Sequence, residues 1–243
     1  MYHIHWNKII FSCCLLFATA ANAQKSVELN LADHDVKPYY FGIMLGYNTS
    51  HYNISHHPDF LDPSINSKIA DVESGNTGRI HLGIMANYQF SKRFDLRFYP
   101  LNLVFSEKKL DYLMKDNSIE KQRAESIVMS FPLQVRLKSD RINNFRVYTL
   151  VGAKYDFDLA SNAGARNSDN MLKIKKNDYG IEGGIGFQFF MPYFILSPEI
   201  KISYGLSNIH ARDTELIFSN VVNNMNNRML MFTLHFEGGG IGK

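Results

Sequence analysis

Eight charged residues are spaced so that they could lie together inside a sheet that closes on itself. They occupy positions opposite the apolar side chains of alternating segments, so they belong to one face of each segment. Both signs of charge are present, and this permits a salt-bridge network, a path for protons or solutes, or a catalytic pair of carboxylates. The residues are Arg97, Arg136, Lys154, Asp156, Asp158, Glu182, Glu199 and Lys201. We expect the structural network, because every buried charge needs a partner.

A second group combines histidine and aspartate within one polar stretch. His51, His56 and His57 precede Asp59 and Asp62. Such side chains can bind zinc, but their spacing matches no standard ligand pattern. We therefore predict a solvated loop and no metal site.

Four glycines lie close together at Gly180, Gly183, Gly184 and Gly186. They do not form a dinucleotide fingerprint, because no helical pattern follows and the alternation continues through them. Glycines relieve crowding inside a small, strongly curved barrel. The sequence contains no G-x-S-x-G, P-loop or H-E-x-x-H motif, so we expect no enzyme, no catalytic residue and no cofactor. A lipid-modifying barrel enzyme remains an alternative.

The elements that carry these residues are eight segments of alternating hydrophobicity. In residues 126–137 every second side chain is large and apolar, as in a strand with one apolar face. The apolar phase flips near Pro100, which predicts a β-bulge. The eight predicted strands are residues 39–54, 79–90, 94–112, 126–137, 146–159, 178–190, 194–206 and 228–237.

Short and long connections alternate along the chain. The short ones are residues 91–93, 140–144 and 192–193, and the long ones are residues 55–78, 113–122, 161–177 and 209–227. This asymmetry and the outward apolar faces predict an all-β, eight-stranded antiparallel up-and-down transmembrane β-barrel with both termini periplasmic. A soluble barrel would place its apolar face inward. A short helix within residues 107–125 remains an alternative.

The N-terminus has the features of a secretory signal peptide. Lys8 precedes an apolar run over residues 9–20, and Ala21-Asn22-Ala23 forms a cleavage site. We predict cleavage after Ala23, which N-terminal sequencing of the exported protein tests. The domain prediction is then a signal peptide (1–23), a short periplasmic segment (24–37), a barrel (38–237) and a glycine-rich tail (238–243). Both cysteines lie in the apolar run, where a lipoprotein box is a weaker alternative.

The charge balance excludes one class of partner. The chain has 26 basic and 23 acidic residues. A nucleic-acid-binding protein usually has a basic excess on one face. We therefore expect no nucleic acid as a partner, and outer-membrane lipid around the barrel.

Several segments resemble the PorT family of outer-membrane barrels associated with type IX secretion and gliding motility. The matching segments are residues 40–48, 94–100, 131–133, 138–146, 152–161, 196–201 and 232–237. The Arg-Ile-Asn-Asn turn at residues 141–144 and Ser-Pro-Glu-Ile-Lys at residues 197–201 are the most specific. The resemblance implies a non-enzymatic accessory or assembly role in type IX secretion, with other secretion-system proteins as partners. The alternative is a general small barrel of the OmpA-like or porin-like type, serving envelope integrity, adhesion or limited solute passage.

Overall fold

The computed structural model describes residues 28–63, 66, 68–160, 174–212 and 216–238. The predicted signal peptide and residues 239–243 of the predicted tail lie outside this part of the chain. A 3-10 helix spans Ala32–Val36, and one helical turn spans Ile217–Asn220. The strands are β1 (Tyr39–His56), β2 (Ile69–Gly75), β3 (Thr77–Gln89), β4 (Phe94–Met114), β5 (Ile119–Lys138), β6 (Phe145–Asp158), β7 (Asn177–Phe190), β8 (Phe194–Gly205) and β9 (Val222–Gly238).

The nine strands form a closed antiparallel sheet. Their order is β2-β4-β3-β1-β9-β8-β7-β6-β5, and pairing of β4 with β5 closes the ring. Strands β2 and β3 follow one another in sequence and both pair with β4. Together they occupy one strand position of the barrel, and we call each such position a stave. The barrel therefore has eight staves, and the predicted eight-stranded antiparallel fold is confirmed. Closure pairs the backbone groups of both edge staves, as a bilayer requires.

A bulge lies where the sequence predicts one. The register of β3 against β4 shifts between Ile84 and Ala86, opposite Tyr99 and Pro100 of β4. Proline has no N–H to donate to a ladder, so an extra residue is accommodated there. Before the bulge Arg97 and Tyr99 face inward, and beyond it Asn102 and Val104 do, so the inward positions change from odd-numbered to even-numbered residues.

Two connections differ from the prediction. Within residues 55–78, predicted as one long loop, Ile69–Gly75 forms β2. Residues 113–122, also predicted as a long loop, contain only the tight turn 115–118, where the Met114 N–H donates to the Ser118 carbonyl at 2.8 Å. The helical alternative for residues 107–125 is wrong, because β4 and β5 pair through this region. Its polarity arises because the outer face of this hairpin end contacts water, while Leu110 and Tyr112 pack inward.

The two ends of the barrel differ. At one end lie the short connections 90–93, 139–144 and 191–193, together with residues 28–38 and Gly238. We call this end the terminal rim. The other end, the far rim, carries the tight turn 115–118 and the described parts of the connections that follow β1, β6 and β8.

The outer surface is an apolar belt bounded by two aromatic girdles. The terminal girdle includes Tyr39, Phe90, Phe94, Phe189 and Phe194, and the far girdle includes Tyr47, Tyr155, Tyr179 and Tyr204. Strand β8 spans both girdles, because Phe194 and Tyr204 lie about ten residues apart, or roughly 33 Å along a strand. A strand tilted by about 40° then spans roughly 25 Å along the barrel axis, which is the height of the apolar band of an outer-membrane barrel.

The interior changes character along the barrel axis. Its terminal half is polar and charged, while the far rim is filled by an apolar cluster. That cluster contains Tyr52, Ile69, Val72, Leu110, Tyr112, Ile174, Ile209, Val221, Val222 and Met225. Strands β1, β2, β4 and β9 contribute to it, so the far ends of the staves are held together beyond the girdle.

Candidate functional site

All eight charged residues singled out in the sequence project into the lumen. Each side chain belongs to the inner face of its strand, and each residue is at most 6% exposed. They do not form one cluster. The structure divides them into a large network near the terminal rim, a small middle group and a group towards the far rim.

Arg97 on β4 is the centre of the large network. Its Nη1 donates to Glu199 Oε2 and its Nη2 to Glu237 Oε1, both at 2.8 Å. Its Nε donates to Asn87 Oδ1 at 3.0 Å. One guanidinium therefore ties β4 to β3, β8 and β9 across the lumen.

Arg136 on β5 is the second cation of this network. It forms a two-pronged ion pair with Asp95, whose Oδ1 and Oδ2 accept from Nε and Nη2 at 2.6 Å. Its Nη1 lies 3.3 Å from Glu237 Oε1, so Glu237 joins the two arginines. Lys138 Nζ lies 3.2 Å from Asp95 Oδ2, and the Tyr40 hydroxyl contacts both Asp95 and Arg136.

Charge balance explains why these groups tolerate burial. Three cations, Arg97, Arg136 and Lys138, face the three carboxylates Asp95, Glu199 and Glu237. A buried ion is costly unless opposite charges and hydrogen bonds replace its water. The bidentate Arg136–Asp95 geometry is the strong form of such a pair. The network is therefore a fixed plug that fills the lumen.

Aromatic groups complete the plug. The Tyr148 hydroxyl donates to Glu199 Oε2 at 2.8 Å. The ring of Tyr148 lies 4.9 Å from the Arg136 guanidinium carbon and 5.6 Å from that of Arg97. His235 Nε2 lies 3.0 Å from the Tyr99 hydroxyl. Stacking of a guanidinium on an aromatic face is favourable and leaves its edge free for hydrogen bonds.

The two remaining groups are smaller. In the middle group, Lys201 Nζ lies 3.2 Å from Glu182 Oε2, and Gln134 Nε2 donates to Glu182. In the far group, Lys154 pairs with Asp156. The far group also contains Asp158, which accepts a 2.7 Å hydrogen bond from the Ser126 hydroxyl.

The packing bears on what this lumen can do. The lumen contains two small cavities, with volumes of about 20 and 10 Å³. Val128 and Asp156 line both of them. Each cavity holds about one water-sized sphere. Arginine side chains occupy the cross-section between them and the terminal rim. An eight-stranded barrel is just wide enough for its own side chains, and this one is filled by them.

Sequence reasoning missed four members of the large network. Asp95 and Lys138 lie two positions from Arg97 and Arg136 on the same inner faces, so the alternation could have identified them. Glu237 lies two positions beyond His235 on the same inner face, so the alternation could have identified it as well. A search for charged residues does not find Tyr40, because its side chain is uncharged.

Residues 28–37 cover the terminal rim. Asn30 N–H donates to Asn144 Oδ1 at 2.9 Å, and Arg141 Nη2 donates to the Asn30 carbonyl at 2.5 Å. Asp35 pairs with Arg146 Nη2 at 2.8 Å. Burial alone would raise the pKa of the Asp35 carboxyl, but the adjacent His34 ring and the Arg146 charge hold it well below its usual range.

The histidine-rich stretch is divided between separate contacts. His56 Nε2 lies 3.0 Å from Asp71 Oδ1 on β2, and His57 Nδ1 lies 3.9 Å from Asp59 Oδ2. His51 is exposed on β1. Among the described residues, no group of three or more His, Cys, Asp or Glu side chains is arranged to hold a metal ion.

The glycines of β7 make room for side chains of neighbouring strands. A Cβ built at Gly186 would overlap the ring of Tyr148, which is the ring beneath the two arginines. At Gly183 a Cβ would meet only the Leu150 carbonyl oxygen at 3.6 Å, an ordinary contact. The close approach therefore requires glycine at position 186 and not at position 183.

Comparison with known proteins gives one family and several similar folds. The family model described as "Outer membrane protein beta-barrel domain" matches residues 22–211. OprG from Pseudomonas aeruginosa is 15% identical with a TM-score of 0.47, covering 83% of this chain and 96% of OprG. Neisserial surface protein A is 14% identical with a TM-score of 0.43, covering 81% and 96%. Ail of Yersinia pestis is 12% identical with a TM-score of 0.37, covering 83% and 99%.

Two further findings complete the comparison. No curated protein matches the chain. Within the part of the chain that the structure describes, no helix is long and apolar enough to cross a bilayer.

Proposed function

The chain belongs to the outer membrane protein β-barrel domain family, and from that premise we propose that it is a general small barrel serving envelope integrity or adhesion. The plugged lumen carries this proposal. With Arg97 and Arg136 fully buried across the interior, the barrel serves as a rigid anchor in the membrane and the far rim makes the contacts.

At the far rim, one hairpin extends beyond the aromatic girdle. Strands β4 and β5 continue past the far girdle to the turn 115–118, and β5 pairs with β6 only from Val128 onwards. The apolar cluster beneath the hairpin supports it, with Leu110 and Tyr112 fully buried. In this proposal the short turns and both termini face the periplasm, as in other outer-membrane barrels, and the hairpin faces the exterior.

Shortening the hairpin tests this function. Residues 113–119 are replaced by a two-residue turn, which leaves the buried Tyr112 in place, and the variant is expressed in a strain that lacks the gene. We expect an assembled barrel that fails to restore surface attachment or envelope resistance to detergent. Full restoration by the shortened variant would reject the far rim as the functional surface. A barrel with residues 91–93 replaced by another short turn serves as the matched control.

A type IX accessory role is the second candidate, supported by the resemblance of residues 138–146 to the PorT family. In the structure this segment joins the lumen network through Lys138 and holds residues 28–37 through Arg141, so it is an ordered surface that a partner could recognise. Bulk secretion of type IX cargo by a deletion strain tests it. Normal secretion removes this candidate and leaves the first one in place.

The proposal includes no catalytic activity and no cofactor. It is supported by the engagement of Glu199, Glu237 and Asp95 in ion pairs, which leaves these carboxylates committed to cations. Lipid analysis of outer membranes from the deletion strain tests this part. The deletion strain would contradict it if its lipids had altered acyl chains or headgroups and if one substitution of a polar side chain, in a barrel that still assembles, caused the same alteration.

A further inference from the structure

We propose that one sector of the outer surface, at the far rim, binds the phosphate groups of membrane lipids. The sector consists of Lys175, Lys176 and Arg228, and we call it the cationic sector. Arg228 lies on β9, and the two lysines immediately precede β7. The inference rests on the membrane placement of the barrel and is independent of the contact role proposed for the hairpin.

The three cations lie on adjoining strands of the barrel wall near the far rim. Arg228 is paired in register with Tyr204 of β8, which is in turn paired with Ile181 of β7. The Lys175 N–H donates to the Ile209 carbonyl at 2.8 Å, which ties the segment before β7 to the one after β8. Arg228 is therefore separated from the lysine segment by two strand spacings, about 10 Å, around the barrel and by about five residues, or roughly 17 Å, along the strand direction.

Aromatic rings place the cations at the height of the lipid headgroups. The Arg228 guanidinium carbon lies 5.4 Å from the centre of the Tyr204 ring, and Lys176 Nζ lies 4.6 Å from that of Phe157. Tyr204 belongs to the far girdle, and girdle aromatics mark the boundary between hydrocarbon and headgroups. A cation stacked on such a ring lies where a lipid phosphate begins.

Among the residues that the structure describes, no carboxylate on the outer surface pairs with these cations. Within the described ranges, Lys175, Lys176 and Arg228 are all exposed and none has an acidic group within salt-bridge distance. The acidic residues of the adjoining strand ends, Asp158 and Asp178, are buried on the lumen side. The two lysines border the small cavity that contains those carboxylates, whereas Arg228 faces only the exterior.

The other side of the barrel shows the contrast. There Arg79 pairs with Glu107 at 2.7 Å, Lys109 with Asp111 at 3.5 Å, and Arg123 lies 3.9 Å from Glu107. Two carboxylates there offset two of the three cations. We therefore expect an anionic lipid to be attracted more strongly to the cationic sector than to this side, because each unpaired basic residue near the headgroups adds to the attraction.

The experiment compares two charge-matched double variants. Arg228→Ala/Lys176→Ala removes two cations from the sector, and Arg79→Ala/Arg123→Ala removes two from the side where carboxylates offset most of the cations. Each purified barrel, in a neutral detergent, is equilibrated with lipid A or with its dephosphorylated form, and native mass spectrometry counts the bound lipid. An added arm with inorganic phosphate alone separates lipid binding from binding of the free anion.

We expect wild type to prefer the phosphorylated lipid. The sector variant should lose about fivefold in affinity for each cation removed, while the control variant stays near wild type. Arg228→Lys/Lys176→Arg should retain the preference, and thermal unfolding in detergent verifies that all variants are folded. Equal retention of both lipid forms by wild type, equal loss in both double variants, or full competition by inorganic phosphate overturns the proposal.

Discussion

Arg136 shows how a single buried side chain depends on its partners. Its guanidinium satisfies both oxygens of Asp95 and reaches Glu237, while its face rests on Tyr148. All of these groups are buried. The arginine is tolerated because its partners replace the hydrogen bonds that water would otherwise make.

Replacement of Arg136 by methionine should be strongly destabilising. Arg136→Met leaves Asp95 and Glu237 with one cation fewer, and breaking a buried pair costs about 3–5 kcal/mol. Urea-induced unfolding in lipid vesicles measures the free energy of unfolding. Arg123→Met, at an exposed cation, should cost less than about 1 kcal/mol. Similar losses in the two variants would contradict a structural role for the network.

His210 makes the far rim sensitive to acid. Burial, followed by the positive charges of Lys175 and Arg212, lowers the pKa of His210 to about 4. An unfolded segment binds its proton near the ordinary pKa of 6.5. The stabilising contribution is therefore complete above pH 6.5 and is lost as the pH falls from 6.5 towards 4.

Hydrogen exchange of backbone amides in residues 206–212 and 216–221 checks this dependence. We expect faster exchange, after correction for intrinsic rates, between pH 6.5 and 4. His210→Gln keeps a polar group near the Ser219 hydroxyl, 3.1 Å from His210 Nε2, and should abolish the change. An unaltered pH dependence in that variant would assign the effect to another group.

At the scale of elements, β7 and the β4–β5 hairpin have opposite requirements. Strand β7 must bring its backbone close to Tyr148 of β6, so its composition is dictated by space. The hairpin instead extends beyond the girdle into water, so its outer positions are mostly polar, while Leu110, Tyr112 and the partly buried Met114 pack against the apolar cluster. The polarity of residues 113–122 is the reason that the sequence predicts a loop there.

Gly186→Ala should destabilise the barrel by about 1–3 kcal/mol, since an added methyl group in a filled interior forces its neighbours to move. The methyl group would displace the Tyr148 ring and with it the hydroxyl that donates to Glu199. Gly183→Ala, three positions earlier, is the control and should have little effect. Thermal unfolding of both variants in the same detergent decides between a packing requirement and a general effect of strand glycines.

At the scale of the whole molecule, closure and filling act together. The ring of eight staves satisfies the backbone within the membrane. The lumen network then fills the space that closure creates, and residues 28–37 cover its terminal opening. The result is an anchor with a different surface at each rim.

Planar-bilayer recording should therefore show no steady conductance for the reconstituted barrel. Arg97 and Arg136 are the largest of the fully buried side chains, and their removal opens the cross-section. Arg97→Ala/Arg136→Ala should conduct ions if it assembles, which heat-dependent gel mobility verifies. A steady conductance in wild type would support the solute-passage alternative and contradict the plug.

The sequence by itself determined the eight staves, their inward and outward faces and the bulge near Pro100. Alternation with a period of two is a local property of the strand, so it can be read without knowing which strands are neighbours. For the same reason the inner face of each charged residue followed from its position. The absence of that local signal in residues 69–75 and 113–122 explains the two incorrect loops.

Only the tertiary structure decided which charges meet. The barrel pairs Arg136 with Asp95 and Glu237, neither of which is among the eight charged residues singled out in the sequence. Those pairs depend on strand register and on barrel curvature, which bring β4, β5 and β9 together across the lumen. That no acidic group of the described residues lies within reach of Arg228 also followed only from closure, because closure determines which surface charges are neighbours.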